Sequence, residues 1–200
     1  KHITANTGMD VLAHAIEAYV STAASPYTDA LAIQAIKLVL ENIVTAYEHG
    51  DNMEARNNMH NASALAGMAF TNASLGLIHS LAHKIGGEFG ITHGLTNAIL
   101  LPYIIQFNRK STDKVSKLEK DLGIENLSSC IKELNEKLDI PLNFKDVTEV
   151  DMNEDKFKEV LVRMSENAYN DPCTATNPRE SDPKIVEMIY TSAYYGKDID

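Results

Sequence analysis

Five side chains in the first half of the chain have the types and spacings that chelate a metal: Asp10, His14, His79, His83 and His93. Asp10 and His14, within GMDVLAHAIEAYV, stand four residues apart, so on a helix a carboxylate and an imidazole project from one face on successive turns. His79 and His83 repeat that spacing in GLIHSLAHKIGG, and His93 arrives after the Gly86-Gly87 pair. Imidazoles removed from water need a hydrogen-bond partner, a counter-charge or a metal. Neutral imidazoles with one carboxylate suit Zn²⁺, Fe²⁺ or Co²⁺, whereas Mg²⁺ and Ca²⁺ demand more oxygen. Spacing alone favours His79 and His83 as joint ligands.

Each residue also has a plainer explanation. A carboxylate in the first turn of a helix is favoured by the macrodipole, which accounts for Asp10 without a metal. His14 between two alanines reads equally well as a core imidazole bonded to a carbonyl, and His83 beside Lys84 as a surface histidine. His2, His49 and His60 have no ligand-type neighbour at chelating spacing. The joint pattern is harder to dismiss than any member of it.

Helices must position these groups. Thr7 with Asp10 three residues later suggests a capping box that opens a first helix through Val20, and Ser25-Pro26 opens a second that stops at Gly50. Asp51 with Glu54 caps a third from about Met53 to Phe70. A fourth runs from Leu75 to about Ile85, ended by Gly86-Gly87, and His93 opens a fifth toward Tyr103. After Thr112 the chain turns lysine- and glutamate-rich, with amphipathic patterns at 114–122, 129–138 and 154–169 and a last helix from Ser181-Asp-Pro183 to Gly196. Strand alternation is absent, so the expected fold is all-α, a bundle of about eight helices.

Composition narrows the function classes. Two hundred residues with 44% hydrophobic content bury a core without metal or disulfide staples. A net charge of -10, with no basic run longer than Arg109-Lys110, argues against nucleic acid and anionic membranes as partners. Cys130 and Cys173 lie far apart, which fits a reducing, cytoplasmic setting, and no uninterrupted apolar run reaches the roughly 18 residues of a spanning helix.

Four stretches carry a family resemblance: NTGMDVLAHAIEAYVS, GLIHSLAHKIG, ITHGLTNAILLP and DPCTATNPR. Together they resemble the helical C-terminal half of the iron-containing, or group III, alcohol dehydrogenases, whose fold is dehydroquinate synthase-like, and the matching portion of bifunctional aldehyde-alcohol dehydrogenases. The resemblance implies that Asp10, His14, His79 and His93 bind the metal, Fe²⁺ with Zn²⁺ as the alternative. His83, by the same carry-over, lies beside the ion near substrate and nicotinamide without ligating it, which overrules the His79–His83 pairing. It further implies hydride transfer between a small alcohol or aldehyde and NAD or NADP, and a homo-oligomer.

Members of that family also carry an N-terminal dinucleotide-binding domain. Gly86-Gly87 follows a helix and no GxGxxG occurs, so that domain is expected to be missing here, leaving residues 1–200 as a helical metal-binding domain inactive on its own. Phe70, Leu77 and Ile78 are candidates for an apolar substrate wall. Two other classes use the same residues: a helical metallohydrolase with Glu17 or Glu88 as base, and a non-catalytic helical interaction module.

Overall fold

A computed structural model describes residues 1–199, which form nine α-helices and two 3-10 turns, with no strand among the described residues. The helices are α1 (His2–Val20), α2 (Pro26–Glu48), α3 (Met53–Ala73), α4 (Leu77–Phe89), α5 (His93–Asn108), α6 (Lys114–Leu122), α7 (Leu127–Lys137), α8 (Glu154–Tyr169) and α9 (Pro183–Tyr195). The all-α expectation holds, with nine helices in place of about eight.

Local chemistry sets most of the boundaries. Ser25 and Thr28 cap one another's backbone at the start of α2, with Pro26 in the first helical position. The cap of α3 is Asn52, which accepts from the Ala55 N–H, and not Asp51. Nor does Thr7 open α1: its hydroxyl donates to the Ile3 carbonyl four residues back, inside a helix that begins at His2.

Two boundaries near the site also differ from expectation. The Gly86-Gly87 pair does not end α4, which runs on to Phe89 and stops where Gly90 takes a left-handed φ of 73°. The reversal toward His93 is therefore made by Gly90, Ile91 and Thr92. Likewise α5 does not stop near Tyr103 but continues to Asn108, with Pro102 inside it. Proline has no N–H for the Ala98 carbonyl, and Asn135 of α7 supplies that donor instead, at 2.8 Å.

The core lies between α1, α2 and α3 on one side and α4, α5, α7 and α9 on the other. A stripe of alanines on α3 (Ala62, Ala66, Ala69 and Ala73) is buried and lets that helix approach its neighbours closely. α2 has the length and apolar content of a membrane-spanning helix, although no uninterrupted apolar run of that length occurs. Charged Asp29, Lys37 and Glu41 interrupt it, and Ala32, Ala35, Ile36, Val39 and Ile43 are buried against the bundle. α5 is buried nearly all round and crosses α1 and α4, and the three helices meet at the histidines.

Candidate metal centre

α1 delivers Asp10 and His14, α4 delivers His79 and His83, and α5 delivers His93 from its first position. An oxygen of Asp10 and ring nitrogens of His14 and His79 lie within 4.8 Å of one another. Asp10 Oδ1 is 3.7 Å from His79 Nε2, 3.4 Å from His93 Nε2 and 3.6 Å from His14 Nδ1. Ring centroids are 4.2 Å apart for His14 and His79 and 5.2 Å for His79 and His93. The cluster grades from interior to solvent: His79 is 1% exposed, while His93 is 42% exposed.

Hydrogen bonds select which nitrogen of each inner ring is free. His14 Nδ1 lies 2.7 Å from the Asp10 carbonyl oxygen, which accepts only from an N–H, so the lone pair is left on Nε2. His79 Nδ1 lies 2.6 Å from Glu17 Oε2, and the other oxygen of Glu17 accepts the Ile78 N–H, also at 2.6 Å. Carboxylate-held imidazoles of this kind are a recurrent support for metal ligands.

The electrostatics fit a cation. Burial would raise the Asp10 carboxyl, but His79, His14, Asn97 and His93 outweigh it and hold the group below the usual carboxylate range. Burial pushes His14 and His93 down, toward the neutral form that binds metal. His79 is pushed up to about 9, because Glu17 and Asp10 on either side outweigh its burial. A buried imidazole between two carboxylates attracts positive charge, and a proton and a metal compete for the same Nε2. For bonds of about 2.1 Å, a tetrahedral site separates its ligand atoms by about 3.4 Å, close to the spacing of Asp10 from His79 and His93.

His83 stands apart from this group. Its ring stacks on His93 at 5.5 Å, and its Nδ1 lies 3.2 Å from Asp171 Oδ2, which also accepts from Lys84 Nζ at 2.7 Å. His83, Asp171 and Cys173 form a second close cluster. Lys84 already neutralises its carboxylate, and burial and Asp171 push the Cys173 thiol up to about 12, which disfavours the thiolate a metal needs.

Other candidates separate clearly. His2, His49 and His60 are exposed, and none belongs to a close group of ligand-type side chains. Phe70 lies 4.6 Å from the His14 ring, centroid to centroid, but Leu77 and Ile78 are buried in the core and line no open wall. Neither proposed hydrolytic base is available: both oxygens of Glu17 are taken by His79 and Ile78, and Glu88 pairs with Arg163 at 2.9 Å.

From the sequence, Glu17 is named only as a candidate hydrolytic base, whereas its oxygens bond Ile78 and His79, and Asn97, Lys84 and Asp171 are not singled out. Glu17 lies three residues from His14 and Asn97 four from His93, so helical spacing was the available signal.

Residues 4–194 match the Fe-containing alcohol dehydrogenase family, C-terminal. The NADPH-dependent butanol dehydrogenase of Clostridium saccharobutylicum is 46% identical over 99% of this chain and 52% of its own. An aldehyde-alcohol dehydrogenase of Streptococcus pneumoniae is 42% identical over 97% of this chain and 24% of its own. The solved iron-containing alcohol dehydrogenase of Thermococcus thioreducens superposes with a TM-score of 0.90 at 37% identity, covering 98% of this chain and 51% of that one. The chain spans about half the length of the first and third, and about a quarter of the second. It belongs to the Fe-containing alcohol dehydrogenase family, as the C-terminal part.

Proposed function

We propose that these residues form the metal-binding domain of an NAD(P)-linked alcohol dehydrogenase that interconverts a small alcohol and its aldehyde. The observation that supports it best is that atoms of Asp10, His14 and His79 lie within 4.8 Å of one another and His93 Nε2 lies 3.4 Å from Asp10 Oδ1, with Nδ1 of both inner rings already bonded. These four residues would hold Fe²⁺, with Zn²⁺ as the competing ion, since the affinity order favours zinc. A bound ion would supply Lewis-acid polarisation of the alcohol or aldehyde oxygen.

The rest of the chemistry belongs to the chain. Asp10 contributes the one negative charge in the ligand set, and Glu17 fixes the tautomer of His79. His83, with Nδ1–H directed at Asp171, keeps Nε2 free to accept a proton from the substrate side and release it to solvent. On this reading His83 also borders the nicotinamide, which a separate N-terminal nucleotide-binding domain would grip.

The relatives illustrate both cofactors: the butanol dehydrogenase is NADPH-dependent, and a sulfoacetaldehyde reductase of Bifidobacterium kashiwanohense, 28% identical, was solved with NAD⁺. The direct test is metal analysis of the chain purified without chelator. About one divalent ion per chain is expected, and a chain that takes up neither Fe²⁺ nor Zn²⁺ would refute the reading.

A further inference from the structure

The site contains one polar side chain that the proposed chemistry does not use. Asn97 lies one turn after His93 on α5 and is 0% exposed. Its amide nitrogen is 2.5 Å from Asp10 Oδ1, 3.0 Å from His93 Nε2 and 3.2 Å from His79 Nε2. One nitrogen thus contacts donor atoms from all three helices that build the centre. Its carbonyl oxygen is buried without a hydrogen-bond partner.

The contact with Asp10 fixes which end of the carboxamide faces inward, because an ionised carboxylate accepts and does not donate. Two amide hydrogens then face three neighbours, of which Asp10 and His93 are nearer. Without a cation, the Asp10 carboxylate and the His93 Nε2 lone pair repel one another across 3.4 Å, and the helices that carry them gain by moving apart. An N–H₂ group among them offers positive partial charge without occupying the ligands' far sides.

Asn135 shows what a structural asparagine does in this fold. It is equally buried and also leaves its oxygen unpaired, but its amide goes to the Ala98 carbonyl freed by Pro102 and touches no ligand.

We propose that Asn97 is a positioning residue that preorganises the metal centre, holding Asp10, His93 and His79 face to face across three helices before the ion arrives. When the ion takes the imidazole lone pairs, the amide keeps its bond to Asp10 and limits that carboxylate's freedom to swing toward solvent. This inference rests on the metal-binding reading above.

The test compares Asn97→Leu, which keeps the volume and removes both donors, with the unaltered chain. Co²⁺ and Zn²⁺ affinities are measured by competition with a chromophoric chelator, and the Co²⁺ complex is followed by its visible absorption. Expected are a 10- to 100-fold loss of affinity and an altered Co²⁺ spectrum, with helical content unchanged. Wild-type affinity and spectrum in a folded Asn97→Leu chain overturn the proposal alone, whereas an unaltered chain that binds neither ion overturns the metal centre as well.

If the leucine variant does not fold, Asn97→Asp keeps the shape and places a second carboxylate against Asp10. Its metal-free form is expected to melt lower and to gain more from Zn²⁺ than the unaltered chain does. An equal gain overturns the proposal.

Discussion

Glu17 and His79 are 62 positions apart in sequence, yet their side chains share a 2.6 Å hydrogen bond with both groups 1% exposed. The same carboxylate accepts the Ile78 N–H at the start of α4, so one residue of α1 both caps α4 and sets the tautomer of its first histidine. Negative charge at a helix N-terminus is favourable in its own right, and the two functions reinforce one another.

Replacing Glu17 by Gln separates them. The new side chain still accepts from Ile78 through its oxygen, but its amide then donates to His79 Nδ1 and drives the ring proton to Nε2, where the metal would bind. Glu17→Gln is expected to keep the helical content and lose about 10- to 100-fold in Zn²⁺ or Co²⁺ affinity, measured by chelator competition.

Gly94 holds α5 against α1. A Cβ built there would overlap the Asn6 carbonyl oxygen, a backbone atom that cannot rotate away. Gly94→Ala must push the helices apart at the level of Asp10 and His93. A loss of stability of about 1–3 kcal/mol is expected, together with metal content well below one ion per chain, by thermal unfolding and elemental analysis.

Metal content also separates the histidines. His79→Ala and His93→Ala each remove a nitrogen within 4 Å of Asp10 Oδ1 and are expected to lose the ion. His83→Ala is expected to retain it, because its Nδ1 contacts Asp171. Equal loss in all three variants would make His83 a ligand.

Asp171 sets an acid limit on the site. Burial alone would raise its carboxyl, but the Lys84 ammonium, the Cys173 N–H and His83 outweigh this and hold it down to about 2. Because the folded value lies below the unfolded one of about 3.9, the stabilisation is complete above pH 4 and lost as pH falls toward 2. Asp171→Asn is expected to cost on the order of 1–2 kcal/mol at neutral pH and to lose less stability between pH 4 and 2 than the unaltered chain. Denaturant titrations at several pH values check both.

Helices and their faces were legible in the sequence because both are local properties. Apolar residues recurring at 3.6-residue spacing identified the elements, and the four-residue offsets placed Asp10 with His14 and His79 with His83 on shared faces. The same locality misled at Gly86-Gly87, since helix propensity at two glycines does not register the burial of Ile85 and Ile91 around them. It also left the end of α5 short: the helix runs past Tyr103 to Asn108, and the carbonyl that Pro102 leaves without a donor is served by Asn135, 37 residues away.

Spacing alone paired His79 with His83, whereas the family resemblance implied His79 with His93. Folding brings Asp10 of α1 toward His79 and His93 and leaves His83 one turn away, against Asp171 from beyond α8. The contacts of Glu17 with His79 and of Asn97 with Asp10 and His79 are likewise contacts between helices. An i, i+4 offset specifies which side chains share a face, but which nitrogen of each is free, and what lies opposite it, depends on how helices far apart in sequence cross and pack.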